Sequence, residues 1–157
     1  MNNENIIDSF IDQYEFLRLD YNCDFEMDGI MFHSASAAYY CQKNPDKNSW
    51  VKFARLNPNK AREKAKKLPN TEEYEENKID YLYKANKAKF DYNLILQTQL
   101  VNTKDKELIN NVSYRDEFLG VYQGKGANIL GKILMKLRSH YIKEREKHLA
   151  DRKKVKK

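Results

Sequence analysis

Glycine and proline are scarce, five and three in 157 residues, which excludes a collagen-like or low-complexity chain. Cysteine is scarcer. Cys23 and Cys41 lack CxxC spacing, so the sequence offers neither a disulfide framework nor a thiolate zinc set. No apolar run approaches the roughly 20 residues that a membrane-spanning helix needs. The opening residues, Met1 to Ile6, have no basic flank and no long apolar stretch, so no signal peptide is expected. Together these absences point to the cytoplasm, free thiols and no membrane contact. His33, His140 and His148 are far apart, so neither a metal nor another cofactor is expected. There is no GxSxG elbow, and Cys41 reads as an inert helix residue.

What is present suits one hydrophobic core: 41% hydrophobic and 12% aromatic residues in a chain of this length. The net charge of +6 is concentrated at one end. From Lys143 to Lys157 eight basic residues face three acidic ones, a local +5 that leaves +1 for everything before it. The expected organisation is therefore a domain over 1–142 and a basic tail over 143–157. Such a tail could neutralise phosphates and release counterions, which makes nucleic acid a candidate partner. It lacks the interleaved aromatics that would read bases.

The clearest local pattern is a hairpin. Cys23, Phe25 and Met27 alternate with Asp24 and Glu26, Asp28-Gly29 suits a two-residue turn, and Ile30 and Phe32 resume the alternation. Ser34 caps a helix expected over Ala35 to Gln42. Trp50 to Ala54 reads as a short helix. Asn57-Pro58 opens another from Asn59 to Leu68, whose charge places it on the surface. A longer helix is expected over Glu72 to Tyr92, with Ile79, Leu82, Tyr83, Asn86 and Phe90 on one face, and a further one from Asn93 to Leu100. Strands are expected near Glu15–Arg18, Leu108–Val112 and Phe118–Tyr122. In the last helix Ile129, Leu130, Ile133, Leu134, Leu137 and Tyr141 form an apolar stripe. The fold class is α+β, a mostly helical single domain around a small antiparallel sheet.

Gly126 to Lys132 matches seven positions of a phosphate-binding P-loop, but Ile133 stands where a magnesium-binding hydroxyl is required. Nucleotide hydrolysis is excluded on that ground. The Gln123-Gly-Lys-Gly126 loop still precedes a helix N-terminus, where an anion is favoured; a tight turn without a ligand explains it equally. Lys43 ends an apolar, tyrosine-bearing helix. Partial desolvation there would lower its pKa and make it an imine-forming amine, and a simple charge–dipole pairing is the plainer alternative.

Four blocks, in order, resemble the NADAR family across roughly Ile6 to Tyr141. Tyr14-Glu-Phe-Leu-Arg-Leu-Asp-Tyr21 followed by Asp28-Gly29 is similar to Y-x-F-L-S-N-F-Y and D-G. Phe32-His-Ser-Ala-Ser-Ala-Ala-Tyr-Tyr-Cys-Gln-Lys43 resembles Y-P-S-x-E-H/A-A-F/Y-Q-A-x-K. Lys89-Phe90 through Leu100, Thr103 and Leu108-Ile109 is similar to K-F-x-x-N … L-x-x-T … L-I. The most specific block runs from Asp116-Glu-Phe-Leu-Gly120 through Gly124-Lys-Gly126-Ala-Asn128-Ile-Leu-Gly131 to Arg138.

The resemblance implies a pocket for ADP-ribose or a ribonucleotide-like ligand. It also implies cleavage of N-glycosidic bonds, in riboflavin-pathway intermediates or in ADP-ribosyl-guanine of DNA. By resemblance Lys43 is the imine-forming residue and Asp116 a pocket carboxylate. Ser36, Tyr40, Gly120, Gly124, Gly126 and Asn128 would border the ligand. The chain departs from the pattern in three places: the helix-motif glutamate falls on Ser36, the Ser-Asn pair on Arg18-Leu19, and the tryptophan of F-W-G on Leu119. A carboxylate near the anomeric carbon would stabilise an oxocarbenium-like state or move a proton, and serine does neither. Asp20 is a substitute in principle. Two readings stand: an N-glycosidase or ADP-ribosyl hydrolase, and a catalytically degenerate relative that binds or sequesters ADP-ribose or a nucleotide derivative without turnover.

Overall fold

In chain order the elements are β1 (Ile6–Ile7), β2 (Phe25–Met27), β3 (Ile30–Phe32), α1 (Ala35–Cys41), α2 (Trp50–Ala54), α3 (Pro58–Lys66), α4 (Glu72–Tyr92), α5 (Leu94–Val101), β4 (Glu107–Leu108) and α6 (Ile129–Val155). The structure is a computed structural model and describes residues 4–155. Helices dominate, with two separate two-stranded sheets, so the class is α+β. The chain divides into two units, one of Phe10–Leu94 and one of Met1–Ser9 with Ile95–Lys157.

In the first unit the Asp28-Gly29 turn has positive φ at both residues, 52° and 79°, as a tight hairpin of this hand requires. The antiparallel register sets Phe25 opposite Phe32 and Met27 opposite Ile30. Alternation buries Phe25, Met27 and Phe32 and leaves Glu26 exposed. Three of the four following helices start on a side-chain cap that satisfies an orphan N–H. Ser34 accepts from Ala37 N–H at the start of α1, Asn57 from Lys60 N–H before α3, and Thr71 from Tyr74 N–H before α4. Helices α2, α3 and α4 all pack against α1.

Three expectations in this unit need correction. Glu15–Arg18 is no strand: Asp12–Leu17 is a 3-10 turn. Its apolar residues Tyr14 and Leu17 stand three apart, which suits i→i−3 bonding rather than strand alternation. Helix α3 is not wholly superficial, because Ala61 and Ala65 are buried; two alanines let the backbones of α1 and α3 approach. On α4, Leu82, Asn86 and Phe90 are buried as expected, whereas Ile79 is 47% exposed.

In the second unit β1 and β4 pair in parallel, Ile6 with Glu107 and Ile7 with Leu108, a ladder that local patterning did not reveal. Of the strands expected at 108–112 and 118–122, only Leu108 lies in a strand, and Asn111 and Val121 form a single bridge. The cause is local. The N–H groups of Phe118 and Leu119 are taken by the Asp116 carboxylate, so they cannot enter a ladder. Helix α6 buries Leu130, Ile133, Leu134, Leu137 and Tyr141 and continues through Val155. Arg145 donates to the side chains of Gln97 (3.0 Å) and Thr98 (2.9 Å). Among the described residues no helix is long and apolar enough to cross a membrane.

Lys89 is the most unusual side chain of the first unit. It is fully buried, yet its ammonium donates to the carbonyls of Phe16 (2.7 Å) and Arg18 (3.1 Å). Both carbonyls lie at the end of the 3-10 turn; that of Arg18 also accepts from Tyr21 N–H at 3.2 Å, whereas that of Phe16 lies where the turn stops. The rings of Phe90 and Tyr21 lie 5.0 and 5.4 Å from the nitrogen and suit a cation. Burial lowers the Lys89 pKa to about 8, with the Cys23 thiol acting weakly the other way.

Replacing Lys89 by methionine keeps most of the volume but strands the buried Phe16 carbonyl, because the Arg18 carbonyl keeps its bond from Tyr21 N–H. The expected loss is about 1–3 kcal/mol, measured by urea denaturation. Since the folded pKa lies below the unfolded one, the unfolded chain binds the extra proton between about pH 8 and the unperturbed value near 10.4. Parent stability relative to Lys89→Met should therefore rise with pH across that window.

Candidate functional site

Helix α1 and its C-terminal turn carry Ser36, Tyr40 and Lys43. Spacings of four and three residues put them in one row, spanning about 10 Å along the helix axis. At the Ser36 end the row meets the segment that leaves the 3-10 turn. Ser36 N–H, an orphan donor of the first turn of α1, is satisfied by the Leu19 carbonyl at 3.0 Å. Its hydroxyl donates to the carboxylate of Asp20. Arg62 of α3 donates to both Asp20 oxygens, at 3.1 and 3.3 Å, and its guanidinium lies 5.7 Å from the centre of the Tyr40 ring. Burial opposes the Arg62 charge, but Tyr40 and Asp20 outweigh it and raise its pKa.

At the other end, Lys43 extends its amine over the Tyr74 ring, 5.1 Å from the centroid. Tyr74 is itself within hydrogen-bonding distance of the Tyr39 hydroxyl, 3.2 Å away. Desolvation lowers the Lys43 pKa, and the charge of Glu75 partly opposes it. Desolvation is the effect that makes Lys43 a nucleophile candidate. Cys41 is buried, and desolvation pushes its thiol far up, which leaves it a poor nucleophile.

Beside Asp20 lies a cavity of about 310 Å³ whose walls include His33, Arg55 and Asn57. His33 is turned to Asp24, 2.6 Å away. Ser36, Tyr40 and Lys43 are not among the residues that line this cavity. Asp20 is therefore the residue shared between the α1 row and the cavity. A larger, open concavity of about 670 Å³ runs along α6 beside Arg145, His148 and Leu149, and it contains none of the sequence-derived candidates.

The remaining candidates belong to the second unit. One oxygen of Asp116 accepts from Phe118 N–H (3.1 Å) and Leu119 N–H (2.9 Å). This is an Asx-type turn that shapes the loop. Gly124 and Gly126 have positive φ, and a Cβ on Gly126 would strike the Gly120 carbonyl. Gly120 is equally constrained, since a Cβ there would meet the Asn110 carbonyl. The Asn128 side chain is engaged at both ends: its oxygen accepts from Asn110 N–H (2.9 Å) and its nitrogen donates to the Leu108 carbonyl (3.0 Å). These residues order the loop that leads into α6.

Sequence reasoning missed Arg62 and Lys89. Arg62 stood among many charges on a helix read as superficial, and the buried Ala61 beside it was the available signal. Lys89 lay inside a quoted motif, but nothing local announced that its amine turns inward.

A family model described as NADAR domain matches residues 6–141. The solved NMR structure of the E. coli protein YbiA is similar to this fold with a TM-score of 0.80 at 25% identity, over 92% of this chain and 89% of that one. The chloroplastic riboflavin biosynthesis protein PYRR of Arabidopsis thaliana is 36% identical over 72 residues, 46% of this chain. The aligned stretch spans 12% of that relative's length. With a family match that runs from the first strand to Tyr141, this chain belongs to the NADAR family.

Proposed function

We propose that this protein acts on ADP-ribose conjugates or related N-ribosides and releases the base by cleaving the N-glycosidic bond at ribose C1. The observation that carries the reading is Lys43. Its amine is partly desolvated, rests against an aromatic ring and, among the described residues, has no ion-pair partner. Such an amine is neutral more often at physiological pH than an ordinary lysine.

The chemistry follows from that lone pair. When the ribose ring of an N-riboside opens, the C1–O4′ bond breaks with its electron pair on O4′ and the base nitrogen shares its lone pair with C1 as an iminium. The Lys43 nitrogen adds to C1 and the bond from C1 to the base nitrogen breaks with its electron pair on the base; of the two protons the amine gives up on becoming the imine, one goes to that nitrogen and the other to O4′. Water then cleaves the lysine imine to return the free amine and the ribose aldehyde. Tyr40 would border the sugar along the α1 row, with the buried Ser36 behind it holding Asp20. Within the second unit, the basic stretch of α6 beyond Lys143 is a contact for a nucleic-acid backbone in its own right.

The rival reading, binding without turnover, is favoured by one feature, the uncharged Ser36. An oligonucleotide bearing ADP-ribosyl-guanine and a ribosylamino-pyrimidine phosphate are the two probes. Free ADP-ribose or free base is expected from at least one. Tight ADP-ribose binding in calorimetry with no release from either probe at high protein concentration would decide for the rival.

Borohydride should trap a ribose adduct that mass spectrometry maps to Lys43, with trapping that rises with pH and levels off below the ordinary lysine value near 10.4. Lys43→Met should remove the adduct and reduce turnover about 10²–10⁴-fold, while ADP-ribose affinity changes little. Asp116→Asn keeps the accepting oxygen and should retain turnover within about threefold. Asp116→Ala loses the turn and should cost about 1 kcal/mol or more in thermal unfolding. Reversing Lys147, Lys153 and Lys154 to Glu should weaken the DNA probe, flatten its salt dependence and spare the small one.

A further inference from the structure

We propose that Asp20 is the carboxylate that faces ribose C1, with Arg62 as the residue that positions it. This rests on the N-riboside reading given above and assigns a group that the lysine chemistry leaves unaccounted for. As the ring opens, positive charge builds on C1 and its nitrogen, and an anion opposite that charge lowers the barrier.

The described residues supply such an anion at one point of the α1 row. The Asp20 carboxylate takes a hydrogen bond from the Ser36 hydroxyl and two from Arg62. All three hydrogen bonds are donated to the carboxylate by its two partners, so it is held there as an acceptor in one orientation. Its side chain is 27% exposed and forms part of the wall of the 310 Å³ cavity, so an oxygen face remains open to a ligand.

The reach is sufficient. Ser36 and Lys43 are about 10 Å apart along the helix axis, and an extended lysine side chain spans roughly 6 Å of that. An amine turned back from Tyr74 along the row would meet a C1 atom held against Asp20. Arg62 is placed in turn by Tyr40, the middle residue of the row. One helix face thus carries the nucleophile, the support of the cation and the partner of the anion.

The test compares Asp20→Asn, Asp20→Glu and the double variant Asp20→Asn/Ser36→Glu, with the ADP-ribosyl-guanine oligonucleotide and the ribosylamino-pyrimidine phosphate as substrates. Asp20→Asn should lower kcat at least about 100-fold with KM and ADP-ribose affinity within about threefold. Asp20→Glu should keep at least a tenth of the parent rate. The double variant returns a carboxylate to the same space from the helix side and should recover at least tenfold over Asp20→Asn. Asp20→Asn with near-parent kcat overturns the proposal, and so does a loss that the double variant fails to recover. If Asp20→Asn does not fold, the double variant decides alone. Turnover supports the proposal, and a folded, ADP-ribose-binding but inactive protein overturns it. A parent protein that cleaves neither substrate is a different result. It removes the N-riboside reading itself, and this role for Asp20 with it.

Discussion

A buried ammonium organises the first unit. Lys89 reaches from α4 to the carbonyls of Phe16 and Arg18 and fixes the end of the 3-10 turn to the longest helix of that unit. Burying a charge is costly unless hydrogen bonds replace its hydration. The two carbonyls and the flanking rings supply that replacement. Leu19 passes its carbonyl to Ser36 N–H, and the next residue, Asp20, arrives beside the Ser36 hydroxyl. Backbone contacts thus bring Asp20 to Ser36, and Arg62 then holds the carboxylate in place.

The parts of this protein that were legible in the sequence are those whose physics is local. The Asp-Gly turn needs only two residues that tolerate positive φ. The α6 stripe needs only a 3.6-residue period, and the caps at Ser34, Asn57 and Thr71 act over three residues. The parallel pairing of β1 with β4 joins Ile6 to Glu107, and nothing in either dipeptide announces the other. Asp116 shows the same limit in reverse. Its neighbours Phe118 to Tyr122 have strand-like composition, but a single side chain takes the N–H groups that a strand would need.

The candidate site was half legible for the same reason. Ser36, Tyr40 and Lys43 follow from helix periodicity once one of them is suspected. Arg62 and Lys89 do not. Each is one lysine or arginine among 29 in the chain, and what sets it apart is a partner 42 or 73 residues away. Position-by-position comparison with a family pattern registers that Ser36 carries no charge. It does not register that charge can enter the same space from another segment.

The Asp20–Arg62 pair also bears on why such a cluster exists. Both side chains are about one-quarter exposed, and pairs at or near the surface contribute little net stability, typically about 0–1 kcal/mol. Other contacts also join these elements: α1 packs against α3, whose Ala61 and Ala65 are buried, and Lys89 holds the turn. A hydrophobic pair would close the gap at no electrostatic cost. What the pair provides instead is a negative charge held in one orientation, with a hydroxyl and a guanidinium on one side and a cavity on the other. Fixed charge of that kind requires no reorganisation when positive charge develops nearby. An arrangement that adds so little to stability is better explained by what it can do to a bound ligand.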